Sequence, residues 1–116
     1  MFNPVNIKTP EVQAAEQAQA AAEKATQQFR ADRQHALDTA VVTSTLGNQY
    51  DADEQSMLRM GANIKAGELA GKHDADTVQW SLADTDTGVM TDVPFSDLKE
   101  AYVLAAANMG EIWGRT

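Results

Sequence analysis

Two groups of acidic side chains could bind a cation. Asp51, Asp53 and Glu54 are close neighbours, and Asp84 and Asp86 open a segment of the form D-x-D-x-G. A calcium loop needs six or seven oxygen ligands, with a glutamate that closes the ring at its twelfth position. No glutamate stands where the ring would close after Asp84. Helix capping and a polar hairpin therefore account for these acids, and no metal site is predicted.

Zinc binding and nucleophilic catalysis are also poorly supported. His35 belongs to a predicted helix and His73 to a charged loop, with no glutamate spaced to complete a zinc site. Ser56, Ser81 and Ser96 are predicted in a helix turn, on a strand and at a helix cap. No G-x-S-x-G, phosphate-binding glycine loop or paired-carboxylate pattern is present. The sequence predicts a non-enzymatic protein without a cofactor or a small-molecule substrate.

Amino-acid composition limits the remaining classes of protein and of partner. The chain has 116 residues, 43% apolar but only 6% aromatic, which suits one small domain with a modest core. It has no cysteine, which excludes disulfides and thiol chemistry. The net charge of -8 repels phosphate backbones and anionic lipids, so neither nucleic acid nor a membrane is an expected partner. No signal peptide or membrane-spanning run is recognised, which predicts synthesis in the cytoplasm.

The acidity is concentrated in the second half of the chain. Residues 1–50 carry 4 basic and 5 acidic side chains, whereas residues 51–116 carry 5 and 12. This asymmetry predicts an N-terminal arm over residues 1–38 and a small domain over residues 39–116.

The first eight residues are predicted to be extended. Pro4 disfavours a helix before it, and Phe2, Val5 and Ile7 are apolar without helical spacing. Two interpretations stay open: a disordered terminus, or a peptide that docks these three side chains on a partner.

A long helix is predicted to begin at Pro10. Thr9 provides an N-cap hydroxyl, and proline is favoured at the first helical position. Residues 11–40 contain 10 Ala and 6 Gln with no Gly or Pro. A helix that runs to about Leu37 would be roughly 40 Å long.

The apolar face of this helix is thin. Its small side chains lack the Leu and Ile content of a strong zipper, and Gln19 and Thr26 interrupt the seam. The face is predicted to contact a partner helix, with a homotrimer favoured, although a solitary exposed helix is the alternative. The predicted contact residues are Val12, Ala15, Ala18, Ala22 and Phe29.

The compact part is predicted to begin with two short strands and a helix. Residues 40–45 are rich in β-branched side chains and favour a strand, although a helix continuing through Val42 is the alternative. Residues 46–48 form a turn before a short return. Asp51, followed three residues later by Glu54, predicts a capped helix that ends at Gly71. Its inward positions are Met57, Met60 and Ile64, with Leu58 and Ala62 beside them.

A hairpin and a last helix follow. Residues 78–82 alternate in polarity as a half-buried strand does, and residues 84–88 form a loop before a return over residues 89–93. Ser96 is predicted to cap the last helix, with Asp97 in its first turn. The expected fold is α+β: a long Ala-rich helix, then a small domain of two helices packed on a short antiparallel sheet. Its large core residues are predicted to be Trp80, Tyr102 and Trp113.

The order of these segments resembles a small domain of unknown function found in tailed-bacteriophage tail-fibre, tail-fibre-assembly and related tail proteins. The resemblance covers roughly residues 30–113 and departs from the family at residues 85–88, where a longer loop replaces an asparagine. The matching segments are residues 50–54 (YDADE), Ser56, Arg59, Met60, residues 78–84 (VQWSLAD), Val93, residues 98–101 (LKEA) and Trp113.

The resemblance implies a structural component of a phage tail, located in the virion and made in the host cytoplasm. It implies no catalytic residue. The expected mechanism is association with other tail proteins, in which Phe2, Val5, Ile7 and the helix face are the contacts. The alternative is a tail-fibre assembly chaperone that is not retained in the virion.

Overall fold

The computed structural model describes residues 9–115. The chain divides into two units, Met1–Asp32 and Arg33–Thr116, and the second is called the compact unit. Three helices and two antiparallel strand pairs confirm the predicted α+β fold with a long N-terminal helix. The elements are α1 (Pro10–Asp38), β1 (Val41–Thr43), β2 (Gln49–Asp51), α2 (Glu54–Leu69), β3 (Thr77–Trp80), β4 (Thr91–Pro94) and α3 (Phe95–Trp113).

The start of α1 is as predicted. The Val12 amide donates to the Thr9 hydroxyl over 3.2 Å, so Thr9 caps the helix and Pro10 takes the first helical position. The helix ends at Asp38, one residue beyond the predicted end. At about 1.5 Å per residue its 29 residues extend about 44 Å.

The first hairpin confirms a strand, rather than a continued helix, at Val42. Val42 faces Tyr50 across the β1–β2 pair, and both side chains are buried. The turn between the strands places Gly47 at φ +89°, a conformation that glycine adopts without strain.

The N-cap of α2 is Asp53, so the prediction that Asp51 caps this helix is wrong. A carboxylate oxygen of Asp53 accepts a hydrogen bond from the Ser56 amide over 3.3 Å. Asp51 is the last residue of β2 and pairs with Val41, and this strand pairing holds it out of the helix. The predicted end is confirmed, because Gly71 has φ +79° immediately after the C-cap.

The second hairpin has a longer loop than predicted. β3 pairs with β4 from Thr77 opposite Pro94 to Trp80 opposite Thr91, which leaves residues 81–90 outside the strands. Leu82 therefore lies beyond the strand, where it is buried nonetheless. The Ala83 amide, one residue on, donates to the Gln49 carbonyl over 2.8 Å. The four strands thus form two separate two-stranded sheets, β1–β2 and β3–β4, instead of the single sheet expected.

The start of α3 also differs from the prediction, because Ser96 is exposed and does not cap the helix. The N-cap is Pro94, which makes no side-chain cap hydrogen bond. Carbonyl groups from the loop before β3 accept from the first amides instead: Phe95 donates to the Asp76 carbonyl over 2.7 Å and Ser96 to the Asp74 carbonyl over 3.2 Å.

The core of the compact unit does not contain the three aromatic residues predicted for it. Trp80 is half-buried against the core, while Tyr102 and Trp113 are 38% and 53% exposed. Of the apolar stripe predicted on α3, the buried residues are smaller ones: Leu98, Ala101, Ala105 and Ile112. The largest fully buried side chains are Tyr50, Phe95, Met60, Leu98 and Val93.

Candidate functional site

The predicted contact residues of the arm lie on a surface stretch of helix. Every residue from 10 to 32 is exposed, and this stretch of α1 is called the arm segment. Among its larger apolar side chains, Val12 is 45% exposed and Phe29 is 38% exposed. A helix in water draws most of its stability from packing of an apolar face, and helices of 12–15 residues are marginal alone.

The predicted contact residues share one side of the arm segment. At about 100° per residue, Val12, Ala15, Ala18, Ala22 and Phe29 fall within an arc of about 120°. We call this arc the arm face. Because three of its five members are alanines, a second helix could approach its backbone closely.

The polar residues that interrupt the seam are bonded within the helix. The Thr26 hydroxyl donates to the Ala22 carbonyl over 3.0 Å. A partner helix at this position would therefore contact a threonine whose hydroxyl is already hydrogen-bonded. The Gln19 amide reaches Glu23 at 3.5 Å, one turn further on. Neither residue therefore requires a polar group from a partner at the seam.

The remaining predicted contacts, Phe2, Val5 and Ile7, lie outside the described residues. Their docking role stays a prediction.

Within residues 9–115, no group of three or more His, Asp or Glu side chains is arranged to hold a metal ion. His35 lies in the last turn of α1, and His73 lies in the loop before β3. The His73 amide donates to the Asp76 carboxylate over 2.6 Å, a contact that organises this loop. Asp53, one of the acids considered as a cation ligand, is the α2 cap.

The most buried polar cluster joins the first hairpin to the start of α3. Asp97 accepts hydrogen bonds from the Tyr50 hydroxyl over 2.6 Å and from the Asn48 side-chain amide over 3.0 Å. Asp97 also lies in the first turn of α3, where the helix dipole favours a negative charge. Nearby, Glu100 accepts from the Thr45 amide over 2.9 Å. These contacts fasten the hairpin to α3, which is a structural role.

This cluster predicts a loss of stability at alkaline pH. Burial raises the pKa of the Tyr50 hydroxyl well above its usual value of about 10, and the hydrogen bond to Asp97 and the charge of Asp97 raise it further. Above pH 10 the unfolded chain loses this proton while the folded chain keeps it. The contribution of the Tyr50 hydroxyl to the free energy of unfolding is therefore fully present below pH 10 and is about 1 kcal/mol smaller at pH 11.

Urea unfolding from pH 8 to pH 11 would measure this decline. Tyr50→Phe should be less stable at pH 8, because Asp97 loses a buried donor, and its pH dependence should be flatter than that of the native chain. Equal slopes in the two proteins would contradict the assignment. Tyr102→Phe is the matched control, since its hydroxyl lies on an exposed residue of α3.

A second surface on the compact unit was not anticipated from the sequence. Leu58 is 70% exposed and, with Met57, Tyr102 and Met109, lines an open groove of about 490 Å³ between α2 and α3. Helical periodicity placed Leu58 and Tyr102 beside or within the buried stripes. Their exposure depends on the rotation of α2 and α3 about their axes, for which the sequence carries no signal.

No family model, curated protein or solved structure matches this chain. Among the described residues, no helix is both long enough and apolar enough to cross a membrane.

Proposed function

We propose that this chain is a non-enzymatic structural component of a phage tail that associates with other tail proteins through its N-terminal arm. The observation that supports association most directly is that residues 10–32 are helical and every one of them is exposed to some degree. The alanines of this face are exposed and gain little from packing within the chain, whereas contact with a second helix would remove them from water.

The arm face suits close helix contact better than a pocket. Alanine side chains are short, so the backbones of two helices can approach closely, and Val12 and Phe29 mark the two ends of the face. We propose a homotrimer as the favoured assembly, in which equivalent arm faces meet around one axis. The tail assignment rests on the resemblance of the compact unit to small phage-tail domains.

The arm face can be tested by placing charge on it. Ala18→Glu combined with Ala22→Glu should weaken self-association at least about 100-fold, because carboxylates would be buried without partners. Sedimentation equilibrium at high micromolar concentration measures the effect. The native chain should sediment as a trimer and the variant as a monomer.

A matched control places the same charge elsewhere on the helix. Ala20→Glu combined with Ala31→Glu adds two carboxylates on the opposite side of the arm segment and should leave the trimer intact. Loss of the trimer in this control would indicate general charge repulsion instead of a specific face. A native chain that stays monomeric would contradict self-association and leave docking on a different tail protein.

Mass spectrometry of purified particles tests the tail assignment separately. Copies of this chain in the particle are expected. Their absence would instead favour an assembly chaperone that leaves before the virion is complete.

A further inference from the structure

A polar groove of about 500 Å³ opens beside β3 in the compact unit. We call it the β3 groove. Its walls come from the end of β2, from α2, from β3 and from the loop that follows β3, and its volume falls in the range of small-molecule sites. The lining residues that matter here are Asp51, Arg59, Asn63, Gln79, Trp80 and Ser81.

Trp80 gives the groove an aromatic wall. The residue is half-buried, and part of its side chain packs against the core cluster while the remainder lines the groove. Packing on the core limits the rotation of the indole. No described residue accepts a hydrogen bond from the indole N–H, which leaves that donor for a ligand.

The polar groups around Trp80 are also available. Arg59, Gln79 and Ser81 make no side-chain hydrogen bond to any residue in the described part of the chain. Together they supply guanidinium, amide and hydroxyl groups, which include both donors and acceptors. The Asn63 amide donates to the Arg59 carbonyl over 3.0 Å, and this bond leaves the Asn63 side-chain oxygen as a further acceptor.

Charge narrows the class of ligand. The groove contains one cation, Arg59, and one anion, Asp51, so its local charge is balanced. Residues 33–116 carry 6 basic and 13 acidic side chains, and this net negative charge repels anions. A cationic ligand would find the single carboxylate, Asp51, offset by Arg59 in the same groove, so the lining suits a neutral ligand best.

We propose that the β3 groove binds a neutral oligosaccharide. A sugar ring has an apolar C–H face that can lie against the indole of Trp80, and its hydroxyls can both donate to and accept from the surrounding side chains. This binding function goes beyond association through the arm and stands or falls independently of it.

Nuclear magnetic resonance titration of the full ¹⁵N-labelled chain tests the proposal. The probes are maltohexaose, cellohexaose and chitohexaose, each added to about 10 mM, a concentration that detects millimolar affinity. At least one probe should shift the Trp80 indole and the Gln79 and Asn63 side-chain amide signals. Gln79→Ala should weaken that binding about fivefold, because it removes one or two hydrogen bonds from an exposed side chain.

Trp80→Phe should weaken binding further, since it removes the indole donor and reduces the aromatic wall. Lys65→Ala is the matched control, because Lys65 lies on α2 but lines the α2–α3 groove instead of the β3 groove. This variant should bind as the native chain does. The proposal is overturned if none of the three neutral probes shifts the groove signals. It is also overturned if the shifts map to the α2–α3 groove, or if an oligogalacturonate of equal length binds more tightly than the neutral probes.

Discussion

Replacing Phe95 with alanine is expected to lower the free energy of unfolding by about 3–5 kcal/mol. Phe95 is completely buried, and its ring lies against Gly67 of α2 and beneath the Lys99 ammonium, 5.0 Å from the ring centre. Removing the ring would leave a cavity at the junction of α2 and α3, because neighbouring backbone cannot collapse far into the space.

The contrast with Trp113 makes this prediction specific. Trp113→Ala removes a larger side chain, yet it should lower the free energy of unfolding by only about 1 kcal/mol. Trp113 is 53% exposed, and its ring contacts the Arg33 guanidinium, 4.2 Å from the ring centre. Urea unfolding monitored by circular dichroism measures both variants.

Phe95→Leu is a milder variant of the same position, for use if Phe95→Ala does not fold. It should still be less stable than Trp113→Ala, because leucine leaves part of the ring volume empty. A larger loss at Trp113 than at Phe95 would contradict the packing described for this unit.

The glycines of the two helices should respond to alanine in opposite directions. At Gly67, an added Cβ would lie 2.6 Å and 2.8 Å from two carbons of the Phe95 ring. The buried ring cannot move aside freely, so overpacking is expected to cost about 3 kcal/mol, offset by about 1 kcal/mol of helix propensity. Gly67→Ala should therefore be about 2 kcal/mol less stable than the native chain.

Gly110→Ala is the matched control in α3. An added Cβ at Gly110 meets no atom within 4 Å, and the residue lies in the helix interior. This variant should be up to about 1 kcal/mol more stable than the native chain, because alanine restricts the unfolded chain. Thermal unfolding of the two variants side by side would test the pair, and destabilisation at Gly110 would contradict it.

Gly61 provides an intermediate case. Its added Cβ would lie 3.3 Å from the Tyr102 ring, and that ring is 38% exposed. An exposed ring can shift by a few tenths of an ångström, so Gly61→Ala should fall between the other two. The three positions together separate the effect of contact from that of helix propensity.

Local chemistry made several elements predictable from the sequence. Thr9 and Pro10 determine where α1 begins, because capping and the restricted φ of proline act within one turn. Gly71 ends α2 for the same kind of reason, since the required positive φ is favourable for glycine. The β-branched residues around Val42 favour an extended chain over a continued helix.

The predicted caps of α2 and α3 were wrong because segments distant in sequence form hydrogen bonds near the starts of these helices. Strand pairing with Val41 holds Asp51 in β2, so the cap of α2 falls to Asp53. Carbonyls of Asp74 and Asp76 satisfy the first amides of α3, and Ser96 is not needed as a cap. A short-range capping rule cannot include acceptors supplied by a loop twenty residues earlier.

The two candidate sites, the arm face and the β3 groove, also differ in how far the sequence predicts them. The arm face follows from composition and helical spacing alone, because an exposed helix presents its residues in sequence order. The β3 groove does not, since Arg59 and Trp80 meet only after α2 and β3 have packed.

The sequence by itself determined the secondary-structure types, the long alanine-rich helix, the acidic compact part and the absence of thiol chemistry. These properties depend on side chains that act within a few residues of one another, or on composition. Only the tertiary structure decided which aromatic residues are buried: Tyr50 and Phe95 are enclosed, while Tyr102 and Trp113 lie at the surface. The physical reason is that burial depends on how each helix is rotated against its neighbours, and close contacts such as Gly67 against Phe95 set that rotation.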